Sequence, residues 1–229
     1  MNSLNIKKDQ YISKIIRDIE SPMIAQIVAL ESFLHTASSK ISPDEKDLIE
    51  LTLNSCKYLY KTVEVFNSVY KLNFEPLVLN YEEFNIVELI HELIDEIRIL
   101  VKYNELQLEF NSEKEIIIGA DKAQIKKVIE SLLSNSVNYA FKNSKIEVRL
   151  LRFNDKIVFE IKNNSPYIEE EVLREIFSKY KMCALYNKNG IGLGLFLSKE
   201  IINAHNGTMI AKSYPEDVSV FGFEIPLKG

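Results

Sequence analysis

Gly190-Ile191-Gly192-Leu193-Gly194-Leu195 is the stretch on which the fold of this chain turns. Its alternating glycines read as a tight turn opening a helix that runs to about His205. Glycines at such a place let backbone N–H groups approach an anionic phosphate at a helix N-terminus, where the dipole also favours negative charge. Alone the run is weak, since the same glycines can simply relieve a tight passage from strand to helix. The flanking sequence supplies the context. Downstream, Thr208–Ser213 and Val218–Pro226 read as a closing β pair. Upstream lie an irregular stretch to Asn189, a helix near Glu169–Phe177, strands at Ile146–Arg152 and Ile157–Asn163, and a helix opened by Asp121 with Gln124 and reaching Phe141. Before these, Asn85 and Glu88 can cap a helix running to about Tyr103, which two short β-type runs follow, Leu106–Phe110 and Glu115–Ile118. Segregated helices and a mixed, largely antiparallel sheet make this part an α+β layer.

The N-terminal part has another character. From Tyr11 to about His35, the residues Ile12, Ile16, Ile19, Met23, Ile27, Leu30 and Leu34 step by threes and fours along one helical stripe. Ser42-Pro43-Asp44-Glu45 combines a capping box with proline at the first helical position. A second helix follows, with Ile49, Leu53, Cys56, Tyr60, Val63, Phe66 and Tyr70 on its stripe. Two such helices form an antiparallel hairpin whose apolar stripes need more cover than the pair gives, and dimerisation into a four-helix bundle supplies it. Residues 71–80 break the helical pattern, and Pro76 suggests a linker entering a second domain as a strand. The expected organisation is an N-terminal extension over 1–10, a helical hairpin over 11–75 and a second domain over 76–229.

With 229 residues, 46% of them hydrophobic and 27% charged, the chain has ordinary globular composition, which argues against dominant disorder. A net charge of −5 speaks against a general nucleic-acid binder, which would concentrate Lys and Arg to neutralise phosphates. Cys56 and Cys183 show no metal-ligand or redox spacing and read as reduced packing thiols. No apolar stretch of signal-peptide length follows Lys7 and Lys8, and no window reaches the ~18 uncharged residues of a membrane span. The expectation is a cytoplasmic protein without a membrane span.

About 55 residues before the glycine run, the segment Asp121 to Tyr139 (DKAQIKKVIESLLSNSVNY) resembles the N-box helix of the ATPase domains shared by histidine kinases, gyrase, Hsp90 and MutL. Ile176-Phe177, His205-Asn206-Gly207 and Phe221-Gly222-Phe223-Glu224-Ile225-Pro226 resemble further motifs of that family in the same order. Together with the hairpin, the resemblance covers about residues 11–229 and is to the core of a two-component sensor histidine kinase. It implies a Bergerat-type α/β sandwich behind a dimeric hairpin, with ATP or ADP and Mg²⁺ as cofactors. Asn135 would bind Mg²⁺ through its amide oxygen, a hard ligand for a hard cation. Tyr139 would lie against the adenine, and Gly190, Gly192 and Gly194 would approach the phosphates. The family's adenine-reading Asp-x-Gly-x-Gly box stands here as Asn163-Asn164-Ser165-Pro166-Tyr167, so Asn163 would accept from adenine N6–H as a neutral group. Ser131 and Asn138 also depart from the family's choices around Asn135.

The phosphoacceptor helix of that family carries His-(Glu/Asp)-Leu-(Arg/Lys)-(Thr/Ser)-Pro, and this chain reads Arg17-Asp18-Ile19-Glu20-Ser21-Pro22. A guanidinium stays protonated at physiological pH and has no lone pair free to attack a γ-phosphate, so Arg17 excludes autophosphorylation at this position. Family members that remove phosphate from a response regulator use the acid beside the histidine and a polar residue one turn after it. Asp18 and Ser21 hold those places, and a hydroxyl there can orient a water toward an aspartyl phosphate on a docked receiver domain. Ser21 either plays that part or merely precedes Pro22. Two functions follow: a phosphatase acting on a cognate response regulator without autokinase activity, or a non-catalytic module that binds a regulator or a partner kinase. His35 and the His91-Glu92-Leu93 tripeptide lack the following Ser/Thr-Pro and carry no phosphoacceptor role, and His205 reads as structural, near a helix C-terminus.

Overall fold

The computed structural model describes residues 3–37, 41–179 and 192–227. The chain forms two compact units, Met1–Glu75 and Pro76–Gly229.

The first unit is a helical hairpin of α1 (Ser3–Ala37) and α2 (Pro43–Lys71). Helix α2 starts where the local chemistry requires: the Ser42 Oγ accepts from the Glu45 N–H at 3.3 Å, and the Glu45 carboxylate accepts from the Ser42 N–H at 2.8 Å. The bond from the Ser42 backbone holds the Glu45 carboxyl below its ordinary value. Helix α1 begins at Ser3, so the segment expected as a separate extension is helical from there, and the helix continues through Pro22. Ile16 is buried, and Ile12, Met23, Ile27, Leu30 and Leu34 are half-buried. Ile19 does not share their stripe and is 44% exposed. At about 100° per residue, Ile19 and Glu20 flank the line through Ile16 and Met23 on opposite sides at about the same angle. Glu20 is the one that turns inward, accepting from the Asn67 amide on α2 at 3.4 Å.

The second unit is an α+β layer. Its five-stranded sheet has the order β2-β4-β5-β7-β6, from β2 (Gln107–Asn111), β4 (Lys145–Arg152), β5 (Lys156–Asn164), β6 (Thr208–Tyr214) and β7 (Val218–Pro226). Only β2 and β4 run parallel; the other pairs in this sheet are antiparallel. β1 (Glu82–Asn85) and β3 (Ile117–Ala120) form a separate antiparallel pair, so the expected strand entry lies later than Pro76. One sheet face is apolar through strict alternation: Ile146, Val148 and Leu150 of β4, Ile157, Phe159 and Ile161 of β5, and Phe223 and Ile225 of β7 are all buried. Phe159 and Phe223 face each other in register and stack at 5.3 Å.

Helices α3 (Ile86–Tyr103), α4 (Lys122–Tyr139) and α6 (Gly194–Ala204) complete the core with Ile86, Leu89, Ile90 and Leu93, with Ile125, Ile129, Leu132 and Leu133, and with Ile201 and Ile202. The starts of α3 and α4 follow from their caps: Asn85 accepts from the Val87 N–H and Asp121 from the Gln124 N–H. Helix α4 stops at Tyr139 rather than Phe141, because Ala140 turns extended and the Phe141 N–H donates to the Asn164 carbonyl. Helix α5 (Glu170–Glu175) is correspondingly shorter than the expected Glu169–Phe177.

Candidate functional site

Helix α4 carries the centre of the second unit's site, and its start is fixed from two sides. Asp121 caps it through one carboxylate oxygen and accepts from the Asn80 N–H at 2.9 Å through the other. The Asp121 N–H itself donates to His205 Nε2 at 3.0 Å, and His205 Nδ1 donates to the Ile201 carbonyl at 2.8 Å. These partners assign the ring as the neutral Nδ1–H tautomer. The buried imidazole thus ties the start of α4 to the end of α6, the structural role its sequence position suggested.

About one turn from its end, α4 presents Asn135, and at its end Tyr139, to a small cavity of about 50 Å³. Asn163, at the end of β5, and Ser165 line the same cavity, with Ile168 and Ile176 as apolar wall. The structure therefore brings Asn135, Tyr139 and Asn163 together. Asn163 is only 3% exposed, and no described residue hydrogen-bonds its side-chain amide. The amide stays open to the cavity.

The loop after Asn163 is held by the β6–β7 turn. Asp217, at φ 55°, accepts from the Ser165 N–H through its carbonyl at 3.0 Å and from the Tyr167 N–H through its carboxylate at 3.1 Å. Ser213 Oγ accepts from the Ile168 N–H at 3.0 Å. Sequence reasoning missed this clamp, although a short acidic residue in a hairpin turn is a recognisable signal for a positive φ.

Of the three glycines, Gly192 lies in the left-handed region at φ 68°, and Gly194 opens α6. A Cβ on Gly194 would come within 2.8 Å of Ser131 Oγ, so the serine on α4 is matched to a bare backbone on α6. Gly190 lies outside the described residues, as does Cys183. Glu130, one place before Ser131, pairs with Lys126 at 3.9 Å. Among the described residues there is no cluster of three or more metal-ligating side chains. A magnesium ion here would have the Asn135 amide oxygen as its protein ligand and would take its remaining ligands from nucleotide phosphates and water. The open Asn135 and Asn163 amides on one cavity fit a nucleotide. With Ser131 and Asn138 near Asn135, no acid is among the described residues that line the cavity.

The first unit holds the other candidate residues. Arg17, Asp18 and Ser21 are all exposed on α1, with Ser21 one turn beyond Arg17. Ile24 and Val28 continue the Arg17–Ser21 line as exposed apolar residues. No described helix is long and apolar enough to cross a membrane.

Residues 120–229 match the family described as histidine kinase-, DNA gyrase B- and HSP90-like ATPase. The chain is 24% identical over 210 residues to the sensor histidine kinase YvrG of Bacillus subtilis, which aligns with 90% of this chain and 36% of that protein. It is 28% identical over 226 residues to the adaptive-response sensory kinase SasA of Rippkaea orientalis, over 94% of this chain and 57% of that one. The chain thus spans well under two thirds of either relative. The catalytic domain of histidine kinase ThkA superposes with a TM-score of 0.59 at 29% identity, over 66% of this chain and 99% of that domain. ThkA in complex with the response regulator protein TrrA matches 96% of this chain and 63% of that one at a TM-score of 0.61 and 22% identity, a likeness of fold.

Proposed function

With this chain a two-component sensor histidine kinase core whose residues 120–229 belong to the histidine kinase-, gyrase B- and HSP90-like ATPase family, we propose that it lacks autokinase activity and removes phosphate from the receiver domain of a cognate response regulator. The observation that carries this reading is the exposed set on α1: Arg17 in the place of the phosphoacceptor histidine, with Asp18 beside it and the Ser21 hydroxyl one turn on. A docked receiver presents its aspartyl phosphate to this face. The Ser21 hydroxyl orients a water, the water oxygen attacks phosphorus, and its proton passes to the Asp18 carboxylate. The bond between phosphorus and the receiver carboxylate breaks, releasing inorganic phosphate and restoring the aspartate. Arg17 has no nucleophilic part and acts by electrostatic attraction of the phosphorylated partner. Exposed Ile24 and Val28 supply apolar contact on the same face. That the related ThkA fold occurs in complex with a response regulator supports a receiver as partner.

The active form is a homodimer, in the cytoplasm, through the hairpin. Ile15 and Ile19 on α1 and Leu48, Leu51 and Leu59 on α2 are exposed in the single chain, and a four-helix bundle would cover them. The second unit keeps a nucleotide site for ATP or ADP with Mg²⁺ in the cavity of Asn135, Tyr139 and Asn163, used for binding rather than turnover.

The test is to load candidate receiver domains with a small-molecule phosphodonor and follow phosphate loss with and without this protein. Accelerated loss is the expected result. A protein that binds the phosphorylated receiver yet leaves its half-life unchanged is instead the non-catalytic module, a regulator-binding or kinase-binding pseudokinase.

A further inference from the structure

The Asn163 amide poses a chemical question that a carboxylate would not. It is almost wholly buried, it lines the cavity, and none of the described residues hydrogen-bonds it. A carboxylate only accepts hydrogen bonds, whereas an amide offers an acceptor on one arm and two donors on the other. Neither arm is pinned here, so rotating the side chain by half a turn exchanges them at no cost in lost partners. Among the other described lining residues none is charged: the Ser136 hydroxyl is committed to the Leu132 carbonyl at 3.0 Å, the Ser165 and Tyr139 hydroxyls can donate or accept, and the Asn135 amide carries both donor and acceptor.

The Watson–Crick edge of a 6-aminopurine presents the N6–H donor beside the N1 acceptor. That of a 6-oxopurine presents the O6 acceptor beside the N1–H donor. An amide in one orientation pairs with the first through two bonds and in the other orientation with the second, also through two bonds. A carboxylate in the same place only accepts, so it would take one bond from either edge, from N6–H of the first or N1–H of the second, and would repel the neighbouring acceptor. We infer that the cavity reads a purine through the Asn163 side-chain amide and therefore accepts 6-oxopurine nucleotides, those of inosine and guanosine, alongside adenine nucleotides. This rests on the reading of the cavity as a nucleotide site and adds its base specificity. The cavity is small, about 50 Å³, so the additional 2-amino group of guanine is the harder fit and the inosine nucleotide is the cleaner probe.

The experiment is calorimetric titration of the full chain with ADP, IDP and GDP in the presence of Mg²⁺, repeated with Asn163→Asp after its circular dichroism has been matched to wild type. The expected result for wild type is an IDP affinity within about tenfold of that for ADP, and for Asn163→Asp a loss of about tenfold or more toward both ADP and IDP, because the donor half of each pair is removed; a variant that binds both as tightly as wild type would overturn the role of the amide. Wild-type binding of ADP more than about tenfold tighter than of both IDP and GDP would overturn the specificity while leaving the nucleotide site standing. Absence of binding by all three would overturn both. Should Asn163→Asp not fold, the wild-type ratio decides alone.

Discussion

Replacing His205 with alanine should destabilise the Pro76–Gly229 unit by about 3 kcal/mol, and each part of that figure has a structural source. The ring is 2% exposed and lies edge-on to Tyr81 at 5.6 Å, so its removal leaves a void in a packed region. The larger part is the Asp121 N–H, which loses its acceptor at 3.0 Å in a buried position, a penalty of about 1–3 kcal/mol. The Ile201 carbonyl loses little, since it keeps the His205 backbone N–H at 3.2 Å. The orphaned donor sits on the residue that caps α4, so the damage is directed at the helix presenting Asn135 and Tyr139. Urea unfolding followed by circular dichroism measures the total, and amide hydrogen exchange at Asp121 isolates the local part. His205→Gln, whose amide oxygen can accept the same N–H, should recover some of the loss. A cost for His205→Ala below about 1 kcal/mol, with unchanged protection at Asp121, would refute the clamp.

Other perturbations reach the hairpin. Glu45 has a lowered pKa in the folded chain, so its contribution to α2 is complete above its ordinary value of 4.5 and is lost as pH falls through the folded value below it. An acid titration of helicity should show that step in wild type and not in Glu45→Gln. Ile19→Asp should dissociate the dimer in analytical ultracentrifugation while leaving the second unit folded, because Ile19 is exposed in the single chain; an unchanged dimer would place the interface elsewhere. Arg17→His should give little or no autophosphorylation with labelled ATP, since no acid is among the described residues lining the cavity beside Asn135; robust acid-labile label would show a competent kinase site.

What could be read from the sequence was what short-range chemistry decides. The Ser42–Glu45 box and the Asn85 and Asp121 caps each involve partners within three residues, and all form as their patterns imply. The strand expected over Ile146–Arg152 forms as β4, with Ile146, Val148 and Leu150 buried in alternation. The register of α1 was harder, because a stripe can pass through either an i+3 or an i+4 neighbour, and the polar Glu20 rather than the apolar Ile19 turned inward. The end of α4 was hidden for another reason: the Phe141 N–H pairs with Asn164, a partner set by the sheet and not by neighbouring residues. In the cavity, Asn135, Tyr139 and Asn163 were identifiable by motif, yet the Asp217 clamp on their loop depends on a turn about 50 residues away.

The central claim is that Ser21 on a helix without a phosphoacceptor histidine directs hydrolysis of a receiver's aspartyl phosphate. The direct measurement is the half-life of a phosphorylated cognate receiver with wild-type protein and with Ser21→Ala, at concentrations where binding is measured to be equal. The predicted result is shortening of the half-life by wild type and a loss of about 10²-fold in that acceleration for Ser21→Ala, corresponding to about 2.7 kcal/mol of transition-state stabilisation. Equal acceleration by both proteins would contradict the role of Ser21, and a half-life that wild type leaves unchanged would contradict the phosphatase itself.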